Sequence, residues 1–254
     1  GSGSMTASTL YEPRLDPEMR AIVIAHVIRG RWSVEAGIAT AGAILRWFRD
    51  NFARKTKEEA EAKGVSAYDV LADEAAKIPP GSEGLIALPF FAGARTPRWN
   101  PMAKGALLGL TTYHTRAHVF RAFMECVAYE IRKILEVLEE LGVKSEELRL
   151  LGGGAKPTWA RIKAEVTGKR VLLLEVSDAA LTGNAILAGV GTGVFRSYEE
   201  GVERLVKVKQ VIEPDPRNVE VYNRYYAVYE RLVAALDPFW KEFVELARLS
   251  ASSA

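Results

Sequence analysis

The chain has 254 residues, 48% of them hydrophobic and 26% charged, which is ordinary for a globular protein with a full core. With 34 Lys and Arg against 32 Asp and Glu, the formal net charge is +2, and no basic or acidic excess marks a nucleic-acid or anionic-membrane partner. The single cysteine, Cys126, excludes an internal disulfide and a multi-cysteine zinc site and fits a reducing, cytoplasmic setting. No apolar run reaches the roughly 20 residues of a membrane-spanning helix.

Residues 1–4 read as a cloning remnant and are left out of the fold reading, so that one domain, with no linker and no repeat, is expected over residues 5–254. Residues 21–28 and 32–34 predict a hairpin around Gly30, and a helix is expected over residues 38–52 with Ile44, Leu45, Phe48 and Phe52 on one face. Thr56 and Glu59 have capping-box spacing and predict the start of the next helix; Ser66 predicts another, ending near Lys77 before Pro79 and Pro80. Residues 84–91 (GLIALPFF) predict a buried strand that opens a turn-rich loop over residues 93–105. The longest helix is expected over residues 115–141, where Phe120, Phe123, Val127, Ile131, Ile134 and Leu138 share one face. A strand at 148–151, a helix to Thr167, a strand at 171–174 and a helix over residues 178–190 predict a parallel βαβ unit. Pro214 and Pro216 precede a last helical stretch, residues 219–249, broken near Pro238.

The strongest local signal for chemistry is Gly152-Gly153-Gly154-Ala155 between a strand and a helix. Bare backbone lets a ligand lie close, and the next helix aims its amide end at that spot. The turn is neither a Walker A loop nor GxGxxG, and on these grounds alone it serves equally as a tight turn that packs a helix on a sheet. His114 and His118 lie four apart but lack a third ligand, so a capping or core role is expected of them. Cys126, amid core residues with no basic neighbour, reads as a structural thiol. Asp50 and Asp178 read as helix-end residues, Arg95 as a brace for its loop, and Trp32 and Trp99 as packing anchors. Residues 163–170 read as a solvated helix end, and Tyr222, Tyr225, Tyr226 and Tyr229 as packing of the last helix.

Several motifs in order resemble the C-terminal domain of FGGY-family carbohydrate kinases. They are residues 42–50 (GAILRWFRD), the loop residues Gly93, Arg95, Thr96, Pro97, Trp99 and Pro101, residues 105–125 (GALLGLTTYHTRAHVFRAFME), and residues 152–185 with the glycine turn, Ala164-Glu165-Val166-Thr167-Gly168 and Gly183-Asn184-Ala185. The loop and the 105–125 segment are most similar to xylulokinases. The resemblance implies an α/β fold: a single actin-like, ribonuclease-H-like ATPase domain with a mixed sheet flanked by helices. It also implies phosphoryl transfer from ATP with Mg to a ketose or polyol, xylulose first among glycerol, gluconate and ribulose.

Carried over position by position, Gly153, Gly154 and Ala155 are expected along the adenosine, Thr158 near the adenine edge, Gly42 and Arg46 at the phosphate or ribose, and Thr6 at a phosphate hairpin. The sequence departs from the family at Met5 and Cys126, each a glycine there, and at Ala94, a glutamate there. The family's general base lies upstream of the hairpin, so no catalytic residue is expected here. The partner is expected to be the N-terminal kinase half, or a second copy through self-association. The alternative is a non-catalytic nucleotide-binding or assembly module acting with a partner chain.

Overall fold

The computed structural model describes residues 2–176 and 178–252. The chain opens with β1 (Ser4–Leu10), β2 (Ile22–Ala25) and β3 (Trp32–Ile38), an antiparallel sheet in the order β1-β3-β2. The expected hairpin is thus β2 and β3, and β3 runs on to Ile38 because Val34, Ala36 and Ile38 alternate inward as buried residues. The helix expected from residue 38 therefore starts later, as α1 (Gly42–Phe52). Residues set aside as a remnant take part: Ser4 pairs with Ile38, and the Ser2 carbonyl accepts from the amides of Ala41 and Ala43 at 2.8 and 3.0 Å.

The chain turns into α2 (Arg54–Ala62) after one non-helical residue, Ala53. The Thr56 capping box is not formed; Thr56 lies inside α2 and is buried with Ala60 one turn on, so its place on the inner face outweighs its capping propensity. Helix α3 (Ala67–Ala76) follows Ser66 as expected. Strand β4 (Ile86–Leu88) is shorter than the apolar run that contains it, since Pro89 has no amide to continue the ladder with β5 (Ala106–Leu108).

Helix α4 (Arg116–Glu140) is the longest and is buried along most of its length. After it come β6 (Glu147–Leu150), α5 (Pro157–Thr167), β7 (Arg170–Leu174), α6 (Ala179–Gly191), α7 (Tyr198–Leu205), β8 (Val208–Ile212), α8 (Pro216–Leu236) and α9 (Trp240–Ser252), with a short 3-10 turn at Asp237–Phe239 where the break near Pro238 was expected. Strands β6 and β7 are parallel across α5, as the βαβ reading requires, and β8, which the sequence reading missed with α7, adds antiparallel to β7. Local chemistry sets the ends: Pro157 and Pro216 open α5 and α8, Gly168 closes α5 at φ +66°, and the Asp178 carboxylate accepts from the Leu181 amide at 3.0 Å. Ser177, beside that cap, lies outside the described residues.

Buried polar groups of α4 tie distant segments to it. The Glu125 carboxylate, 1% exposed, accepts from the Gly81 amide (2.9 Å), the Ser82 hydroxyl (2.8 Å), Arg121 Nε (2.8 Å) and the Tyr222 hydroxyl of α8 (2.8 Å). Burial pushes the Glu125 carboxyl up from the usual range, against the pull of Arg121 and these donors. One turn on, Glu130 accepts from Arg98 (2.9 Å) and the Tyr229 hydroxyl (2.7 Å), and Arg98 also pairs with Glu230. Arg98 is thus a brace of the loop over residues 93–105, a role the sequence reading gave to Arg95, which is exposed. The tyrosines of α8 pack the last helix as expected. Replacing Glu125 by alanine strands four buried donors, one of them charged; the expected loss is about 3–5 kcal/mol, read from the urea midpoint. A variant within about 1 kcal/mol of the parent would remove this cluster as a determinant of the fold.

Candidate functional site

The glycine turn forms one wall of a cleft. Strand β6 ends at Leu150, Gly152 takes φ +75°, and the Ala155 amide donates to the Gly152 carbonyl at 3.0 Å before α5 begins at Pro157. A Cβ at Gly152 would meet nothing within 4 Å, so that face of the turn is open. Opposite stands the N-terminus of α1. Between them lies a cavity of about 290 Å3 with Phe120 and Met124 of α4 and Trp159 of α5 as an apolar floor, Tyr68 and Ala72 of α3 at the side, and Gly42, Leu45, Arg46, Gly153 and Lys156 at the rim. Trp159 is held in place by its indole N–H, which donates to the Met124 carbonyl at 2.9 Å.

The charges at the rim are cationic. Arg46 Nη2 donates to the Ser2 hydroxyl at 3.0 Å, and Lys156 Nζ lies 3.0 Å from an Asp69 carboxylate oxygen at the exposed mouth. Among the described residues no carboxylate belongs to the lining itself. Lys163, expected to be solvated, is buried: its ammonium donates to the Gly154 carbonyl at 3.0 Å and sits 4.2 Å from the Trp159 ring centre. Burial pulls its pKa down to about 8. The reason is its register, since on α5 Lys163 falls one turn after Trp159 on the inner face, where it pins the glycine turn from behind. Glu165, also expected to be solvated, is buried too and accepts from Asn218 at 3.0 Å.

Gly42, Arg46 and Gly153 meet in this cleft. Gly154 turns toward the scaffold, since a Cβ there would meet Lys163 at 3.3 Å and Trp159 at 3.6 Å, and Ala155 packs against the core. Thr158 borders a different cavity, about 280 Å3, beside Arg121, Arg161 and Glu165. Thr6 borders a third, between β1 and β6. Sequence reasoning did not find Tyr68, Lys156, Trp159 or Lys163; the signal available was their position, Tyr68 apart, on the first turns of the helix that leaves the glycine turn.

The histidines and the cysteine take structural positions. His118 accepts from the Thr115 amide at 3.1 Å through Nδ1 and pairs with Glu83 at 2.8 Å through Nε2, while His114 accepts from the Thr111 amide at 2.9 Å. Among the described residues no group of three His, Cys, Asp or Glu could hold a metal. Cys126 is fully buried and burial pushes its thiol up, away from nucleophilic use. Trp99 is corrected in part, being half exposed, with its indole N–H on the Met19 carbonyl at 2.6 Å. No helix among the described residues is long and apolar enough to cross a membrane.

Residues 1–192 match the C-terminal domain of the FGGY family of carbohydrate kinases. The chain is 35% identical over 237 residues to the autoinducer-2 kinase of Salmonella paratyphi A, covering 90% of this chain and 44% of that one. It is 32% identical over 193 residues to the xylulose kinase of Bacillus subtilis, covering 76% and 37%. The crystal structure of the xylulose kinase from Rhodospirillum rubrum superposes with a TM-score of 0.80 at 30% identity, over 95% of this chain and 47% of that one. The chain therefore spans less than half the length of these relatives, and it belongs to the FGGY family of carbohydrate kinases as a domain of their C-terminal, actin-like ATPase fold.

Proposed function

We propose that the chain is the nucleotide-binding half of an ATP-dependent sugar kinase, one that transfers the γ-phosphoryl group to a ketose or polyol hydroxyl, with xylulose the first candidate. The observation that carries this reading is the cleft itself: an apolar floor of Phe120, Met124 and Trp159 for a purine, an open glycine turn beside it, and Arg46 at the start of α1 for phosphate. In this reading Ser2 occupies the phosphate position, since its carbonyl accepts from the amides of Ala41 and Ala43 at the start of α1 and its hydroxyl accepts from Arg46; a bound phosphate takes over these donors. Gly154 and Ala155 act only by shaping the turn from its scaffold side, Thr158 stands outside the cleft, and Thr6 from β1 belongs to the interdomain side.

Phosphoryl transfer also needs an aligned hydroxyl and a base. Among the described residues the cleft lining contains no carboxylate, and this chain matches only the C-terminal part of its relatives. The general base and the sugar pocket are accordingly assigned to the remainder of the kinase, as partner half. The lining does not fit a magnesium site, so the ion that accompanies ATP in such kinases is assigned to the nucleotide's phosphates and the partner half. Relatives named for autoinducer-2 as well as for xylulose make both compounds the acceptors to assay.

Calorimetry is expected to show saturable ADP binding. Gly153→Val, which puts a β-branched side chain into the cleft, should weaken it at least about tenfold with the melting temperature nearly unchanged. Arg46→Ala should weaken ADP by about tenfold or more and leave adenosine untouched, the loss of one charged hydrogen bond being about 1.5–3 kcal/mol. Equal ADP affinity of the parent and both variants would discard the cleft as the nucleotide site.

The chain alone is expected to show no phosphorylation of xylulose above background, because losing a general base costs about 10²–10⁴-fold before loss of the sugar pocket is counted. Addition of a separately produced N-terminal kinase half is expected to restore ATP-dependent turnover. Robust turnover by the chain alone would contradict the division of labour, and nucleotide binding with no turnover in any mixture would favour the non-catalytic assembly module.

A further inference from the structure

Lys163 is a buried ammonium that the phosphoryl-transfer reading leaves without a task. It is 4% exposed, and its Nζ donates to the Gly154 carbonyl at 3.0 Å from a position 4.2 Å off the Trp159 ring centre. Neither of these partners is a carboxylate. A cation held by a carbonyl and a ring face is a costly way to fill buried space, which a methionine would fill without charge.

The turn shows what the charge does. One peptide plane joins the Gly154 carbonyl to the Ala155 amide. Lys163 takes the carbonyl, and the amide donates to the Gly152 carbonyl at 3.0 Å, so this peptide is pinned at both ends. Gly153, which lines the cleft, lies between the two pins. Three consecutive glycines have more backbone freedom to lose than any other residues. A turn that is ordered before the ligand arrives spares the ligand that loss. The ring that the ammonium faces, Trp159, belongs to the floor of the same cleft, so one charge braces two of its surfaces.

We propose that Lys163 is a positioning residue for the nucleotide: its ammonium orders the glycine turn through the Gly154 carbonyl without touching the ligand, and loss of its proton loosens the turn. The inference rests on the reading of the cleft as the nucleotide site. A hydrogen bond from a charged donor is roughly twice as strong as one from a neutral donor, so the amine form still reaches the carbonyl but holds it less. Burial brings the Lys163 pKa down to about 8, which places the change within an accessible range. The charged groups on the elements packed against α5 have partners of their own. Arg121 and Glu125 of α4 bind each other at 2.8 Å and share Tyr222 of α8, Glu165 accepts from Asn218 of α8, Asp69 of α3 pairs with Lys156, and Arg170 of β7 lies 3.9 Å from Glu147 and 3.8 Å from Glu213. Lys209 of β8 is exposed, and burial holds the Cys126 and Tyr129 protons in place on α4.

The test is calorimetry of adenosine and ADP from about pH 7 to about pH 9.5, on either side of the Lys163 value. Adenosine is the cleaner probe because it keeps one charge state over this range. Both ligands prefer the protonated form, so in the parent both affinities should fall about five- to tenfold as the pH rises. Lys163→Met keeps the volume and removes the donor; it should bind both ligands about tenfold more weakly at pH 7, with no slope. Carbon-13 NMR of the lysine ε-carbons supplies a readout that needs no variant. One lysine should titrate near pH 8 in the free chain, and saturating adenosine should raise its pKa by about one unit, because the linkage is reciprocal. A flat parent profile, a slope that survives in Lys163→Met, or a lysine titration that adenosine leaves in place overturns the inference. If ADP binding is sensitive to Arg46→Ala while Lys163→Met binds as the parent does, the inference falls and the nucleotide cleft stands. If the parent binds neither ligand, both fall.

Discussion

The structure depends on burying a helix that carries charge. Helix α4 is 25 residues long, and beside its apolar face it takes Arg121, Glu125 and Glu130 out of water. Such groups are tolerable only when paired and hydrogen-bonded. That requirement dictates what closes on α4: the turn at Gly81 and Ser82, the loop through Arg98, and Tyr222 and Tyr229 from α8, more than 90 positions further along the chain. Arg132 extends the same logic, donating to the Val166 carbonyl of α5 at 3.2 Å and to Asn223 of α8 at 2.7 Å.

The site inherits its shape from that helix. Phe120 and Met124 are the cleft floor, and the Met124 carbonyl fixes the Trp159 indole, whose face carries Lys163, whose ammonium holds the Gly154 carbonyl. The glycine turn is therefore not a free loop. It is bolted from behind through a chain of contacts that begins on α4, which leaves the Gly152–Gly153 side open for a ligand. On the other wall the amides of Ala41 and Ala43 and the Arg46 guanidinium already have a partner in Ser2, so the two sides of the cleft differ: under the proposed function one is preorganised and the other exchanges a partner.

Legibility in the sequence followed the range of the interactions. The α4 periodicity, the strand–glycine turn–helix unit and the break at Pro238 are local patterns, and the structure has all three. Motif order led to the family, which local physics could not have supplied, since a GGGA turn alone is ambiguous. Long-range burial was not legible. Lys163 and Glu165 look like surface residues until α5 is seen packed against α4 and α8, and Thr56 looks like a cap until α2 is seen restarting at Arg54. Strand β8 was missed because VKQVI is short, mixed and mostly exposed, and its pairing with β7 decides it. The cleft residues Tyr68 and Trp159 come from separate helices, and no spacing in the sequence joins them.

The central claim is that the cleft between α1 and the glycine turn is where an adenine nucleotide sits. A crystal structure of this chain grown with Mg-ADP tests it most directly. The account predicts the purine over Phe120, Met124 and Trp159, the Gly153 backbone against the adenosine, and phosphate oxygens in place of Ser2 at Arg46 and the first amides of α1. ADP bound elsewhere on the chain, with Ser2 still on Arg46 and the cleft filled only by solvent, would contradict it.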